Sequence, residues 1–122
     1  MTEDMPDGRL LYKPTDSGDL SAGGAGTRAL TTVYQNLSGR TLLVMVRTSK
    51  NTGAAASTQT TAFCDANPAP ATIVDTDLQT NFGAIAAVLA ERVSFLVPPG
   101  AYYEVSGTVG LVLGAWHEWT FG

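Results

Sequence analysis

The stretch from Glu91 to Phe121, ERVSFLVPPGAYYEVSGTVGLVLGAWHEWTF, holds both tryptophans and limits the fold more than any other part of the chain. Val93, Phe95 and Val97 alternate with Arg92 and Ser94, so one face is apolar and the other polar, as a half-buried strand requires. Pro98 and Pro99 donate no backbone N–H and Gly100 tolerates a left-handed turn, so the ladder stops there and the chain must turn back. Tyr103 and Val105 then oppose Tyr102, Glu104 and Ser106 until Gly107. These two runs predict a hairpin. Val109 to Leu113 is a short apolar run, and Ala115 to Phe121 alternates again, with Trp116 and Glu118 opposite His117, Trp119 and Phe121. The expected C-terminus is a meander of four strands.

Upstream the same grammar is weaker. In TRALTTVYQN, from Thr27, Leu30, Thr32 and Tyr34 would share one face of a strand and Ala29, Thr31 and Val33 the other. Asn36-Leu37-Ser38-Gly39 has the composition of a turn. Thr41 to Thr48, TLLVMVRT, is apolar on both faces as far as Arg47 and predicts a central strand covered on each side. Ser49 to Ser57 reads as a loop. Thr58 to Cys64 and Ala71 to Thr76 read as short strands separated by the breakers Asn67-Pro68-Ala69-Pro70. Leu78 to Ala90 fits both periods, and strand is favoured over a short helix at residues 83–90. The fold expected is all-β, an antiparallel β-sandwich with jelly-roll-like connections, because at least seven such runs are separated by Gly, Pro and Asn turns.

Residues 1–26 differ in kind. Two prolines, five glycines and four aspartates leave only Arg9 to Lys13, RLLYK, as an ordered piece. Such a segment buries too little apolar area to offset its chain entropy, so its order must come from docking on another chain. It is read as an N-terminal docking arm, with Leu10, Leu11 and Tyr12 as the contact, preceding a sandwich domain at residues 27–122. The alternative is a solvated tail, which has no need of that apolar cluster.

Composition narrows the function classes. At 122 residues the chain suits one domain. Its charged fraction of 15% lies below the roughly 25% usual for soluble domains, which suggests that partners cover some of the uncharged surface. A net charge of −4, with seven scattered basic residues, offers no stripe for phosphates, so nucleic acid is not an expected ligand. Cys64 stands alone, which excludes an intrachain disulfide and a cysteine zinc site, and it reads as a small buried apolar side chain. An acidic start and no apolar run approaching about 18 residues predict neither signal peptide nor membrane insertion, hence synthesis in the producer's cytoplasm.

Candidate chemistry is sparse. His117 and Glu118 are strand neighbours on opposite faces and form no dyad. Asp65, Asp75 and Asp77 lack the spacing of a calcium loop and read as turn formers. Asn36-Leu37-Ser38 matches a glycosylation sequon, a weak reading without a secretion signal. No cofactor, metal or enzymatic activity is expected. Tyr102, Tyr103, Trp116 and Trp119 are the candidate interface or ligand aromatics, since rings with polar tips serve cores and binding surfaces alike. Strand parity buries one tyrosine and one tryptophan and leaves the others to meet a subunit or a saccharide ring.

The order of TRALTTVYQNLSGRTLLVMV at Thr27 to Val46, VSFLVPPGAYYEVSG at Val93 to Gly107 and WHEW at Trp116 to Trp119 resembles a module at the C-terminal ends of tail-fibre and related virion proteins of tailed bacteriophages. The resemblance spans about 95 residues and its motifs are mostly turns. It implies a β-sandwich that assembles as a trimer on the virion, as a tail-fibre, tail-tip or capsid-decoration component, with host-surface carbohydrate binding as the alternative. The chain departs from that family in having no long fibre shaft before the module, which leaves the N-terminal arm to supply attachment.

Overall fold

The computed structural model describes residues 12–14, 28–53 and 56–121, and no helix occurs among them. Eight strands follow in order: β1 (Tyr12–Pro14), β2 (Tyr34–Gln35), β3 (Leu42–Thr52), β4 (Ser57–Asp65), β5 (Ile73–Thr80), β6 (Ala87–Val97), β7 (Tyr102–Gly107) and β8 (Val112–Phe121). They form two four-stranded sheets, β1-β8-β3-β6 and β2-β7-β4-β5. The antiparallel pairs β1–β8, β2–β7, β3–β6 and β4–β5 are those of one long hairpin bent at the β4–β5 connection. Rolling that hairpin on itself adds β3–β8 and β4–β7, which gives the winding of a jelly roll. The all-β sandwich expected from alternation is the fold of the chain.

The core follows the parity of the strands. Leu42, Val44 and Val46 of β3, Val93, Phe95 and Val97 of β6 and Trp116 of β8 face Ala62 and Cys64 of β4, Ala101, and Tyr103 and Val105 of β7. Thr48 and Thr52 continue the inward row of β3, and Thr48 shares a 2.8 Å hydrogen bond with Thr60 of the opposite sheet. That inward polar row carries β3 to Thr52, so the expected loop at residues 49–57 gives up residues 49–52 to β3 and Ser57 to β4.

Three other expectations need correction. Pro98-Pro99-Gly100 does not close a hairpin within one sheet: β6 pairs with β3, whereas β7 pairs with β4 and β2. The turn carries the chain across the sandwich. Ala101 N donates to Pro98 O at 3.1 Å and Gly100 has φ +80°, a type II turn with proline and glycine in the positions that favour it. The last two runs merge into the single strand β8, so there is no meander. Arg28 to Val33 is not a strand, because Thr31 adopts a left-handed φ of 59° and donates its N–H to Val105 O at 2.7 Å.

The ambiguous stretch 78–90 holds no helix: residues 78–80 finish β5, 81–86 form a loop and 87–90 open β6. Asn81 organises that loop, its amide donating to Gly53 O at 3.1 Å and Ile85 O at 2.9 Å. Within the expected arm, Tyr12–Pro14 pairs with Trp119–Phe121 as the first strand of the roll. Leu10 and Leu11 lie outside the described residues.

The flank where β5 and β6 border different sheets is closed by side chains. Asp75 Oδ2 accepts from Ser94 N at 2.8 Å, Asp77 Oδ2 from Arg92 N at 2.9 Å, and Glu91 Oε2 from Gln79 N at 3.0 Å. Asp75 and Asp77 are therefore not the turn formers expected. They sit on β5 and satisfy amides of β6 that no strand pairs. Asp65 does shape a turn: its Oδ1 accepts from Asn67 N and its Oδ2 from the N–H groups of Ala71 and Thr72.

Close approach makes one glycine mandatory. A Cβ on Gly107 would collide with the carbonyl oxygen of Gln59 on β4, whereas one on Gly53 would meet nothing within 4 Å. Gly107→Ala is expected to destabilise by about 1–3 kcal/mol, and Gly53→Ala to be neutral or slightly stabilising, in urea denaturation. Equal stability of the two variants would contradict this packing.

Candidate functional site

Parity separates the four candidate aromatics. Tyr103 and Trp116 point inward and are buried, at 1% and 0% exposure, so they cannot touch a partner or ligand as intact-fold surface groups. This removes two of the four residues considered for interface or ligand contact. Tyr102 and Trp119 are half-buried on the outside. The notable interior group is one that composition hides, Glu118, at 1% exposure. Its Oε2 accepts from Tyr103 Oη at 2.7 Å, Trp116 Nε1 at 2.8 Å and Arg28 Nε at 3.1 Å, while Oε1 accepts from Arg28 Nη2 at 3.3 Å. Tyr34 completes the cluster, with Arg28 4.5 Å above its ring and Trp116 meeting it edge-on at 5.8 Å.

This group is built to hold the fold. Burial, then the charge of Glu118, push the Tyr103 phenol well above its ordinary value. Burial works to lower the Arg28 pKa, but the hydrogen bond and charge of Glu118 outweigh it and the guanidinium ends above its ordinary value. A second buried carboxylate, Glu91, accepts from Thr60 Oγ1 at 2.6 Å and Thr58 Oγ1 at 2.9 Å, besides Gln79 N. Every oxygen of both buried carboxylates accepts at least one hydrogen bond from within the fold. Asn36 is likewise committed: at 2% exposure its amide donates to Arg40 O at 2.6 Å and Val97 O at 3.0 Å, so the sequon cannot present it to a glycan.

The missed carboxylates had a sequence signal. Glu91 is in phase with Val93, Phe95 and Val97, the row read as apolar, and Glu118 is in phase with Trp116, one of the two rows between which alternation alone did not choose. Cys64 is buried as expected, and burial followed by the charge of Asp65 raises its thiol pKa, which keeps it inert.

Three outer features remain as surfaces for contact. The first is the outward face of β6, β3 and β8, whose registers set Arg92 beside Arg47 and Ala115, Ser94 beside Met45 and His117, and Leu96 beside Leu43 and Trp119. The rings of His117 and Trp119 stack at 5.3 Å and 8°. Met45, Arg47, Arg92, His117 and Trp119 line a concavity of about 260 Å³. The second is a groove of about 480 Å³ at one end of the sandwich, where Pro98, Pro99 and Gly100 face Asp65, Ala66, Val74 and Leu96. The third is the β5–β6 flank, where Ile73, Val74, Leu78, Phe82, Ile85, Val88 and Leu96 are exposed by 43% to 90%. The aspartates considered as a cation site do not converge, since Asp65 organises its own loop and Asp75 and Asp77 bond to β6.

Comparison with known proteins finds no family model and no curated protein that matches the chain.

The titrating groups give opposite pH limbs. A phenol held above its ordinary 10.0 keeps its proton in the native state, so the stability linked to Tyr103 is present below pH 10 and falls as pH rises beyond it. Asp65, lowered from 3.8 to about 2 chiefly by the backbone N–H groups of Ala71 and Asn67, contributes above its ordinary value and loses that contribution as pH falls toward 2. Tyr103→Phe is expected to flatten the alkaline limb and Asp65→Asn the acid limb of thermal stability against pH. Unchanged slopes in either variant would contradict the assigned environments.

Proposed function

We propose that the chain is a non-enzymatic structural component of a tailed-phage virion, a jelly-roll module that self-associates and is anchored by the segment ahead of β1. The observation that carries the assembly role is the β5–β6 flank. Seven large apolar side chains are exposed there, from Val74 at 43% to Phe82 at 90%, and exposed apolar surface concentrated along one flank marks a contact surface. The interior supports a non-catalytic reading, because its two carboxylates are consumed in joining the sheets. The phage assignment rests on the motif resemblance, and a jelly roll agrees with the sandwich that the resemblance implies. Fold alone assigns no function.

Homotrimers are the expected species. Phe82→Glu with Ile85→Glu places charge on the flank without touching the core, and sedimentation should move from trimer to monomer while thermal stability of the fold stays unchanged. A wild-type monomer at micromolar concentration would refute self-association. Deleting residues 1–11 spares β1 and should abolish incorporation into particles, whereas full occupancy by the truncated protein would remove the anchoring role.

A second reading, a host-surface carbohydrate-binding module, is favoured by the stacked His117 and Trp119 on the outer face. Both readings place the protein on the virion and differ in which surface acts.

A further inference from the structure

The outer face of β6, β3 and β8 has a polarity that packing does not explain. Arg47 and Arg92 are direct cross-strand partners. Both are exposed, and neither guanidinium makes an ion pair or hydrogen bond with another described residue. Like charges directly opposite one another weaken a sheet. Among the described residues of β3, β6 and β8 no carboxylate side chain shares this face: the outward rows are Leu43, Met45, Arg47 and Ser49 on β3, Ala90, Arg92, Ser94 and Leu96 on β6, and Ala115, His117 and Trp119 on β8. The nearest acid of β5, Asp77, is committed to the Arg92 backbone amide.

The rest of the face has a second character. Beyond the arginines, Ser94 and Ala115 are small, and Met45 lies between them and the aromatic stack. The result is a depression with two guanidiniums at one end and a flat pair of rings at the other. The same two arginines also border a neighbouring concavity of about 410 Å³, which Thr76, Asp77, Ala90 and Glu91 complete.

We propose that this face is a binding site for a carboxylate-bearing sugar ring, of the hexuronic or sialic acid class, as a residue of an acidic polysaccharide. Planar guanidiniums bind carboxylate through paired N–H donors. The C–H face of a pyranose meets the electron-rich face of an aromatic ring, which the Trp119–His117 stack supplies. A phosphate satisfies the arginines but has no ring for the stack. A nucleic acid has rings, yet the seven scattered basic residues form no track along a phosphate backbone, whereas a single sugar carboxylate needs only the arginine pair. The inference names the ligand class for the carbohydrate-binding reading and rests on that reading, not on where the chain is mounted.

The test is an NMR titration of the full chain, following the two indole N–H resonances. The probes are a hexuronate oligosaccharide, its carboxyl-reduced neutral counterpart and inorganic phosphate. Trp116, buried against Glu118, serves as the internal reference. The hexuronate should shift the Trp119 signal and leave that of Trp116 in place, at up to about 10 mM ligand. The neutral sugar should bind at least about tenfold more weakly, as the loss of a charge-assisted contact requires. Arg47→Gln and Arg92→Gln should each lower hexuronate affinity by about tenfold with unchanged melting temperature, and Trp119→Ala should abolish it. Equal binding of the neutral sugar would overturn the acid-sugar site while sparing the carbohydrate-binding reading, and phosphate giving the same shifts as hexuronate would replace it with a simple anion site. Failure of every saccharide to move Trp119 would overturn both the site and the reading it rests on.

Discussion

Glu118 sits between the sheets with its oxygens accepting from Arg28, Trp116 and Tyr103, and through Tyr103 it joins β8 to β7 of the opposite sheet. Glu91 does the same farther along, joining β6 to β4 and β5. Taking a carboxylate out of water costs several kcal/mol, and only a complete set of donors offsets it. That condition fixes the sheets. The apolar core between them combines five valines with Leu42, Phe95, Tyr103 and Trp116, and its contacts are non-directional where those of the carboxylates are not. A slide that broke one of these donor sets would strand a charge in the interior. The carboxylates therefore set the relative register of the sheets, and the core fills the space so defined.

The edges of the roll follow from the same need to satisfy polar groups. A sandwich leaves open strands along its flanks, and open strands recruit other chains. On the β5–β6 flank the free amides of Arg92 and Ser94 are taken by Asp77 and Asp75. Backbone pairing with another chain is blocked there while the side chains remain apolar. A partner on this flank must bind by packing rather than by adding a strand.

Legibility in the sequence tracked how closely each segment obeyed a simple period. β6, β7 and the C-terminal part of β8 alternate cleanly and were readable in type and facing. The β6–β7 turn was readable too, but not its destination, since a proline-glycine turn closes a hairpin and crosses a sandwich with the same residues. Arg28 to Val33 alternates like a strand, yet Thr31 turns left-handed so that its amide reaches Val105. Local pattern yielded to a long-range bond. The far end of β3 was hidden because its inward residues, Thr48 and Thr52, are polar and partnered across the sandwich. Of the candidate site, parity required one tyrosine and one tryptophan to lie outside, but only the packed sheets show that these are Tyr102 and Trp119. The arginine pair emerged only once β3 and β6 were in register, since Arg47 and Arg92 are 45 positions apart in the chain.

The molecule thus has an interior whose polar groups join the sheets, an exposed apolar flank and an outer face on which two adjacent arginines lie near a stacked pair of rings. Both outer surfaces depend on the sheets holding their places, so the central claim concerns the carboxylates. A double-mutant cycle between Tyr103 and Glu118 tests it most directly. Tyr103→Phe should cost about 1–3 kcal/mol in the wild-type background and almost nothing once Glu118 is replaced by leucine, a coupling comparable to the whole effect. The same cost for Tyr103→Phe in both backgrounds would show that the bridge between the sheets contributes nothing of its own.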